Sequence, residues 1–276
     1  MGIPCTFMTR KMTRKEAPQK SRRWRKQGVY DKGSTEVRKS GCILMLPVIV
    51  LSGGLATRMR PYTDSIPKAM IDVAGMPFVH WQLSFLKKEG IKKVTMCVGY
   101  LGAMIEEYAG DGSRYGLNIS YAYDGDTLLG TGGAIKKIEG ILPDAFFVLY
   151  GDSYLEIPYK PVEEAFFRSK KRGLMTVYEN GDSYDASNAV FWDGQLLAYS
   201  KKKKRRDMRH IDYGLGVLAR EAFHDFPAET AFDLADVYEK LANDGQLHGH
   251  EVFNRFYEIG SPAGLDDLRE KLMEGG

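Results

Sequence analysis

Apolar and polar positions alternate along this chain in short blocks. Val48-Ile49-Val50-Leu51 is an unbroken apolar run rich in β-branched residues, the pattern of a strand buried on both faces of a sheet. Further on, Phe78, Trp81, Leu83, Phe85 and Leu86 give one apolar side of a helix. Pro77 opens it at the first helical position, Lys87 and Lys88 fall in its last turn, and Gly90 ends it. Residues 69–76 between them read as a turn closing on Gly75. The same reasoning places strands over 93–98, 119–123 and 146–150, and helices over 102–109, from Gly133 onward, and over 161–171. From Met175 the blocks shorten into strands at 175–178, 189–192, 196–199 and 214–219, with helices at 234–244 and 262–273. Strands alternating with helices predict an α/β fold with a doubly wound, mostly parallel mixed sheet. Ligands of such sheets sit beyond the carboxyl ends of the strands.

Candidate chemistry gathers at those ends. The first strand runs into Gly53-Gly54, where glycine lets backbone N–H groups approach an anion closely. Arg58, Arg60 and Lys68 follow within one segment and supply charge that suits phosphate. The segment matches neither G-x-x-x-x-G-K-[ST] nor G-x-G-x-x-G. The fourth strand, F-F-V-L-Y, runs into Gly151-Asp152-Ser153. An aspartate there suits a ligand, and equally suits capping the next turn. Leu128 to Ile135 reads L-L-G-T-G-G-A-I, a glycine-rich turn before a helix. His248-Gly249-His250 has no third ligand at a plausible spacing, so it reads as a loop and not a metal site.

Composition changes this picture in one place. The chain of 276 residues is 43% hydrophobic and 27% charged, ordinary for a globular protein, with no apolar run long enough to span a bilayer. Three widely spaced cysteines (Cys5, Cys42, Cys97) argue against a disulfide framework and for a reducing, cytoplasmic compartment. Residues 1–45 hold twelve Lys/Arg against three Asp/Glu, a balance of +9, whereas residues 46–276 hold 27 against 33, a balance of −6. Residues 1–44 therefore read as a basic, disordered extension, or as upstream sequence from a wrong start, with Met45 three residues before the first strand. The expected domain is 45–276, falling into halves at 45–160 and 161–276. A nucleic-acid-binding arm is the rival reading of the extension, against which stand the acidic remainder and the lack of a nucleic-acid module. No membrane partner is expected, and a homo-oligomer is compatible with the sequence.

The string from Gly53 to Lys68, G-G-L-A-T-R-M-R-P-Y-T-D-S-I-P-K, resembles the signature loop of the nucleoside-diphosphate-sugar pyrophosphorylases, the sugar-1-phosphate nucleotidylyltransferases. Their pattern is Gly-Gly-x-Gly-Thr-Arg, then Pro and Thr, then Pro-Lys. Gly53, Gly54, Thr57, Arg58, Pro61, Thr63, Pro67 and Lys68 fit it. Ala56 replaces a glycine and would be strained at positive φ. Leu129-Gly130-Thr131-Gly132-Gly133, Gly151-Asp152 and Tyr257-Glu258-Ile259-Gly260-Ser261-Pro262 resemble three further family segments in the family's order, so the resemblance covers residues 46–272. Met208-Arg209-His210-Ile211-Asp212-Tyr213-Gly214-Leu215-Gly216 looks most like the heptose-1-phosphate and mannose-1-phosphate guanylyltransferase branch.

The resemblance implies a Rossmann-like nucleotide-diphospho-sugar transferase fold, with 45–160 as its nucleotide-binding half and 161–276 as its sugar-phosphate-binding half. It also implies an enzyme that joins a nucleoside triphosphate, GTP first, to a sugar 1-phosphate and releases pyrophosphate. It assigns catalysis to Arg58, Lys68 and Asp152. Nucleotide binding falls to Leu51, Gly53, Gly54, Thr57, Arg58, Gly130, Thr131 and Gly132. Sugar-phosphate binding falls to Lys201, Asp212, Tyr213 and Gly214, and Mg²⁺ to Asp152 and Glu258. Glu258 stands where the family has Asp, Asp212 where it has Asn, and Lys201 opens a run of six bases in which a neighbouring lysine could serve instead. Uridylyl or thymidylyl transfer to a hexose 1-phosphate, and a non-catalytic nucleotide-sugar sensing subunit, are the alternatives.

Overall fold

Described by a computed structural model, residues 44–125 and 127–274 belong to one unit. The basic extension at 1–43 lies outside the described residues, so the expectation about it is not addressed. The main sheet has nine strands. In chain order they are β1 Val48–Ser52, β2 Lys93–Val98, β3 Asn118–Tyr123, β4 Ala145–Tyr150 and β5 Gly173–Glu179, followed by β6 Ala189–Trp192, β7 Gln195–Tyr199, β8 His210–Ala219 and β9 Leu247–Val252. The helices are α1 Phe78–Lys88, α2 Gly102–Ala109, α3 Gly130–Lys137, α4 Tyr159–Ser169, α5 Leu234–Asn243 and α6 Pro262–Glu274.

The spatial order is β3-β2-β1-β4-β8-β5-β9-β7-β6. β1 pairs in parallel with β2 on one side and β4 on the other, and β2 pairs in parallel with β3. From β8 outward the pairing is mostly antiparallel, with β9 parallel to β5. The mixed, doubly wound sheet is therefore as expected, and its topological switch point lies between β1 and β4. β1 is buried on both faces, as its sequence requires. Val48 and Val50 join a core with Phe78 and Leu83 of α1, while Ile49 and Leu51 join a second core with Ile135 of α3 and Val237 of α5. The expected halves share this one sheet, because β4 pairs directly with β8.

Several boundaries shift by a few residues from the sequence reading, β8 starting at His210 and not at Gly214, and three differences have a plain physical reason. α3 begins at Gly130, not Gly133, because Gly130 takes φ +70 and starts the turn that leads straight into helix. Pro77 caps α1 from outside rather than occupying its first helical position. The His248-Gly249-His250 loop is a correction of kind: it is β9, in parallel register with β5 from Leu247↔Gly173 to Val252↔Tyr178. A Cβ on Gly249 would lie 2.5 Å from the Phe191 ring, so the glycine makes room for a side chain 58 positions earlier. Local composition does not show that.

Ala56 does take the left-handed conformation, φ 50 and ψ 39. Its carbonyl accepts from Met59 N–H at 3.0 Å and from the Thr63 hydroxyl at 2.9 Å, which hold the turn. Ala56→Gly is expected to raise stability by about 0.5–1 kcal/mol, or about 2 °C in Tm, because only glycine reaches this region without Cβ strain. Scanning calorimetry checks it, and a lower Tm would show that chain entropy outweighs strain.

Candidate active site

The loops after β1 and β4 meet at the switch point. Gly151 N–H donates to Leu51 O at 2.9 Å. A Cβ there would sit 2.5 Å from Leu51 O, so the two loops touch through glycine. Between them opens a cavity of about 230 Å³ lined by Leu51, Gly53, Gly54, Ala56, Lys68, Cys97, Asp124, Gly130, Thr131, Tyr150 and Asp152, among others. Lys68, in a short helical turn just after Pro67, places its ammonium 2.9 Å from Asp152 Oδ2. Gln82 of α1, almost fully buried, donates to the carbonyls of Tyr150 and Ser153, each at 3.0 Å, and so braces the turn carrying Asp152. Arg58 and Thr57 are exposed on the loop and do not line the cavity.

Glu258 reaches the same place through a two-stranded ribbon, Ser153–Tyr154 with Tyr257–Glu258, in which Glu258 pairs with Ser153. Ile259 N–H donates to Asp152 O at 3.0 Å. The Glu258 carboxylate accepts from the Ser261 hydroxyl at 2.6 Å and from Gly260 N–H. A Cβ on Gly260 would lie 2.5 Å from Glu258 Oε2 and 3.5 Å from both Asp152 Oδ2 and Lys68 Nζ. Two carboxylates and an ammonium thus face one small space kept open by glycine. Hard oxygen donors in such a cradle fit a divalent cation such as magnesium. No group of three or more His, Cys, Asp or Glu among the described residues could hold a metal. Further ligands would have to be water or substrate oxygens.

At the other end of the cavity, the glycines of α3 also pack against the segment before α5. Gly132 and Gly133 N–H donate to Phe232 O at 3.0 and 3.3 Å. A Cβ on Gly130 would lie 2.6 Å from the same oxygen. The Thr131 hydroxyl donates to Asp233 Oδ1 at 3.0 Å and accepts from Leu234 N–H at 2.8 Å, joining α3 to the cap of α5. Gly130 and Thr131 line the cavity, and Gly130 and Gly132 also pack closely on Phe232.

Sequence reasoning missed Asp124, the first residue after β3. It lines the cavity at 8% exposure, and a Cβ on Gly53 would lie 3.1 Å from its Oδ2. Burial pushes its carboxyl up from the ordinary aspartate value, while Leu129 N–H and the Lys137 ammonium pull the other way. Beside it, burial and the Asp124 charge push the Cys97 thiol up to about 12, so it stays protonated. The available signal was an acid just beyond a strand's carboxyl end, the same placement that drew attention to Asp152.

On the far side of Tyr150 the basic run resolves residue by residue. Lys202 pairs with Asp236 at 2.7 Å and Lys204 with Asp182 at 3.0 Å. Lys201 instead lies 5.0 Å from the Tyr150 ring centroid, with Nζ 3.5 Å from its hydroxyl. That hydroxyl donates to Asp212 Oδ2 at 3.4 Å, and Tyr199 does so at 3.5 Å. Gly214 N–H holds Oδ1 at 3.0 Å. Burial raises the Asp212 carboxyl, and Lys201 and these donors oppose it. Burial, with Asp212 beside it, also keeps the Tyr150 phenol well above its usual value. Asp212 therefore organises Tyr150. Tyr213 is 2% exposed within an aromatic cluster with Tyr178 and Phe256. Gly214, at φ +101, lets β8 pass close to Ser153.

A profile described as nucleotidyl transferase matches residues 47–187, about half of the chain. The chain belongs to the nucleotidyl transferase family. A D-glycero-alpha-D-manno-heptose 1-phosphate guanylyltransferase from Campylobacter jejuni is 30% identical over 79% of this chain and 96% of that protein. A UTP--glucose-1-phosphate uridylyltransferase from Synechocystis is 26% identical over 72% of this chain and 56% of that one. Among solved structures, a putative glucose-1-phosphate thymidylyltransferase from Bacillus anthracis, in complex with a sucrose, superposes with TM-score 0.74 at 18% identity, covering 82% of this chain and 95% of that one. This nucleotidyl transferase thus has the expected fold and the enzyme class expected for it, sugar-1-phosphate nucleotidylyltransfer.

Proposed function

We propose that this nucleotidyl transferase moves a guanylyl group from GTP to a heptose- or mannose-type sugar 1-phosphate. Asp124 is the observation that carries the choice of base. A buried carboxylate offers two acceptors and no donor. Guanine presents two adjacent donors, N1–H and the 2-amino group, to such an acceptor pair. Uracil and thymine present one N–H between two carbonyls, and a carboxylate repels both carbonyls. The resemblance of residues 208–216 to the guanylyltransferase branch supports the same base and supplies the sugar class.

A sugar-phosphate oxygen attacks the α-phosphorus, the bond from that phosphorus to the bridging oxygen breaks, and pyrophosphate leaves with the electron pair. No nucleophilic side chain is needed. The chain's task is to position two anions and neutralise them. Backbone N–H groups of Gly53 and Gly54, with Lys68, face the phosphates, and Arg58 is free on its loop to turn onto the departing pair. Lys201, steered by Tyr150, meets the sugar phosphate. Asp152 and Glu258 would hold magnesium, which when bound polarises the α-phosphate.

Purified enzyme, the common triphosphates and a panel of sugar 1-phosphates, followed by pyrophosphate release, form the test. GTP with a heptose- or mannose-type 1-phosphate is expected to be the best pair. A clear preference for UTP or dTTP in direct competition overturns the choice of base.

A further inference from the structure

The first turn of α3 forms one wall of the base end of the cavity through Gly130 and Thr131. Its last residue reaches the opposite wall. Lys137 Nζ donates to the backbone carbonyls of Tyr123 and Asp124, each at 2.7 Å. Asp124 N–H donates in turn to Val98 O at 3.0 Å. The Asp124 backbone is thus held by β2 at its N–H and by α3 at its carbonyl. Gly125 turns the chain at φ +93, and a Cβ there would lie 3.5 Å from Lys137 Nζ, so the ammonium closes the turn from outside. Lys136 is no substitute, being bound to Glu139 at 2.7 Å and to Phe223 O at 2.9 Å.

We propose that Lys137 is a positioning residue for base selection. By clamping the Tyr123 and Asp124 carbonyls it fixes the Asp124 carboxylate at the edge of the base, without itself touching the nucleotide. The inference rests on reading Asp124 as the residue that selects guanine. The clamp also ties the turn to the helix whose other end faces the same base, so both walls move as one. The Lys137 charge further opposes the burial that favours a neutral Asp124.

Equilibrium binding of GTP and of UTP, each with magnesium, is measured by calorimetry on Lys137→Met, Lys137→Arg and Asp124→Asn. Turnover is measured alongside with GTP and mannose 1-phosphate. Lys137→Met keeps the chain length and removes the donor. It is expected to weaken GTP binding about tenfold, to change UTP binding less than about twofold and to leave kcat within about twofold. Lys137→Arg, which can still donate to both carbonyls, is expected to recover GTP binding to within about threefold of the parent. A merely structural lysine would weaken both nucleotides alike or lower kcat in parallel, and either result overturns the inference. So does unchanged GTP binding. If Asp124→Asn leaves the GTP/UTP ratio as it was, the reading of Asp124 falls and takes this one with it. If Asp124→Asn narrows the ratio and Lys137→Met does not, only the clamp is wrong. Lys137 is exposed at the end of α3, and a melting curve matching the parent's confirms that each variant compared is folded.

Discussion

Asp152→Asn is expected to fold like the parent chain and to lose about a thousandfold in turnover, about 4 kcal/mol of transition-state stabilisation. The fold should survive because the turn does not depend on the charge. Gly151 N–H, Ile259 N–H and the Gln82 amide hold the backbone on both sides of Asp152, and Asn has the same shape. The turnover should not survive, for two reasons that act together. The carboxylate is the partner of Lys68 at 2.9 Å, and it shares the Gly260 cradle with Glu258. Neutralising it halves the negative charge available to a divalent cation. It also releases Lys68 from the position in which the proposed mechanism has it meet phosphate. Steady-state kinetics at saturating magnesium, with circular dichroism melting on the same sample, give both readings. Turnover within tenfold of the parent would remove Asp152 from the metal site. Glu258, held by Ser261 and Gly260, would then be the acid to test next.

The central sheet was legible because its strands are buried on both faces. Runs such as 48–51 and 146–150 have no other stable place to go, and the acids and glycines after them had to fall at the carboxyl ends. The loop residues with chemistry followed from that, and Lys68 and Asp152, both singled out in the sequence, lie 2.9 Å apart. What escaped depended on partners distant in sequence. β9 looks like a loop because His248, Gly249 and His250 carry little strand propensity, and its existence rests on β5 and on the Phe191 ring. The glycines of 130–133 look made for a nucleotide, and pattern alone does not show that Gly130 and Gly132 also press on Phe232 and Gly133 on Thr230. Lys201 could not be separated from the other five bases by pattern alone, because what distinguishes it is Tyr150, fifty-one positions earlier. Asp124 follows a strand edge as Asp152 does, but a bare Tyr-Asp-Gly has no pattern of its own. Only its burial beside Gly53 marks it.

Asp124→Asn is expected to lower kcat/KM for GTP about a hundredfold and to narrow the GTP/UTP preference by more than that. The first figure corresponds to about 2.7 kcal/mol, the scale of one charge-assisted hydrogen bond lost and a donor left facing a donor. Asn keeps the volume, so the cavity is not enlarged. It turns an acceptor pair into one acceptor and one donor. Guanine then meets a repulsive N–H, whereas uracil keeps an acceptor for N3–H and gains a donor for the adjacent carbonyl. Asp124→Ala separates the two effects, since it should weaken GTP without giving uracil a new donor. The pH dependence has a definite sign. Burial raises the Asp124 carboxyl, so preference for GTP is present above that raised value and fades as pH falls through it, sooner than an exposed aspartate would allow. Competition between equal GTP and UTP, read as the two nucleotide-sugar products across pH, measures all of this at once. A product ratio in Asp124→Asn equal to the parent's, at every pH, would mean that Asp124 is a buried acid beside the base and takes no part in choosing it.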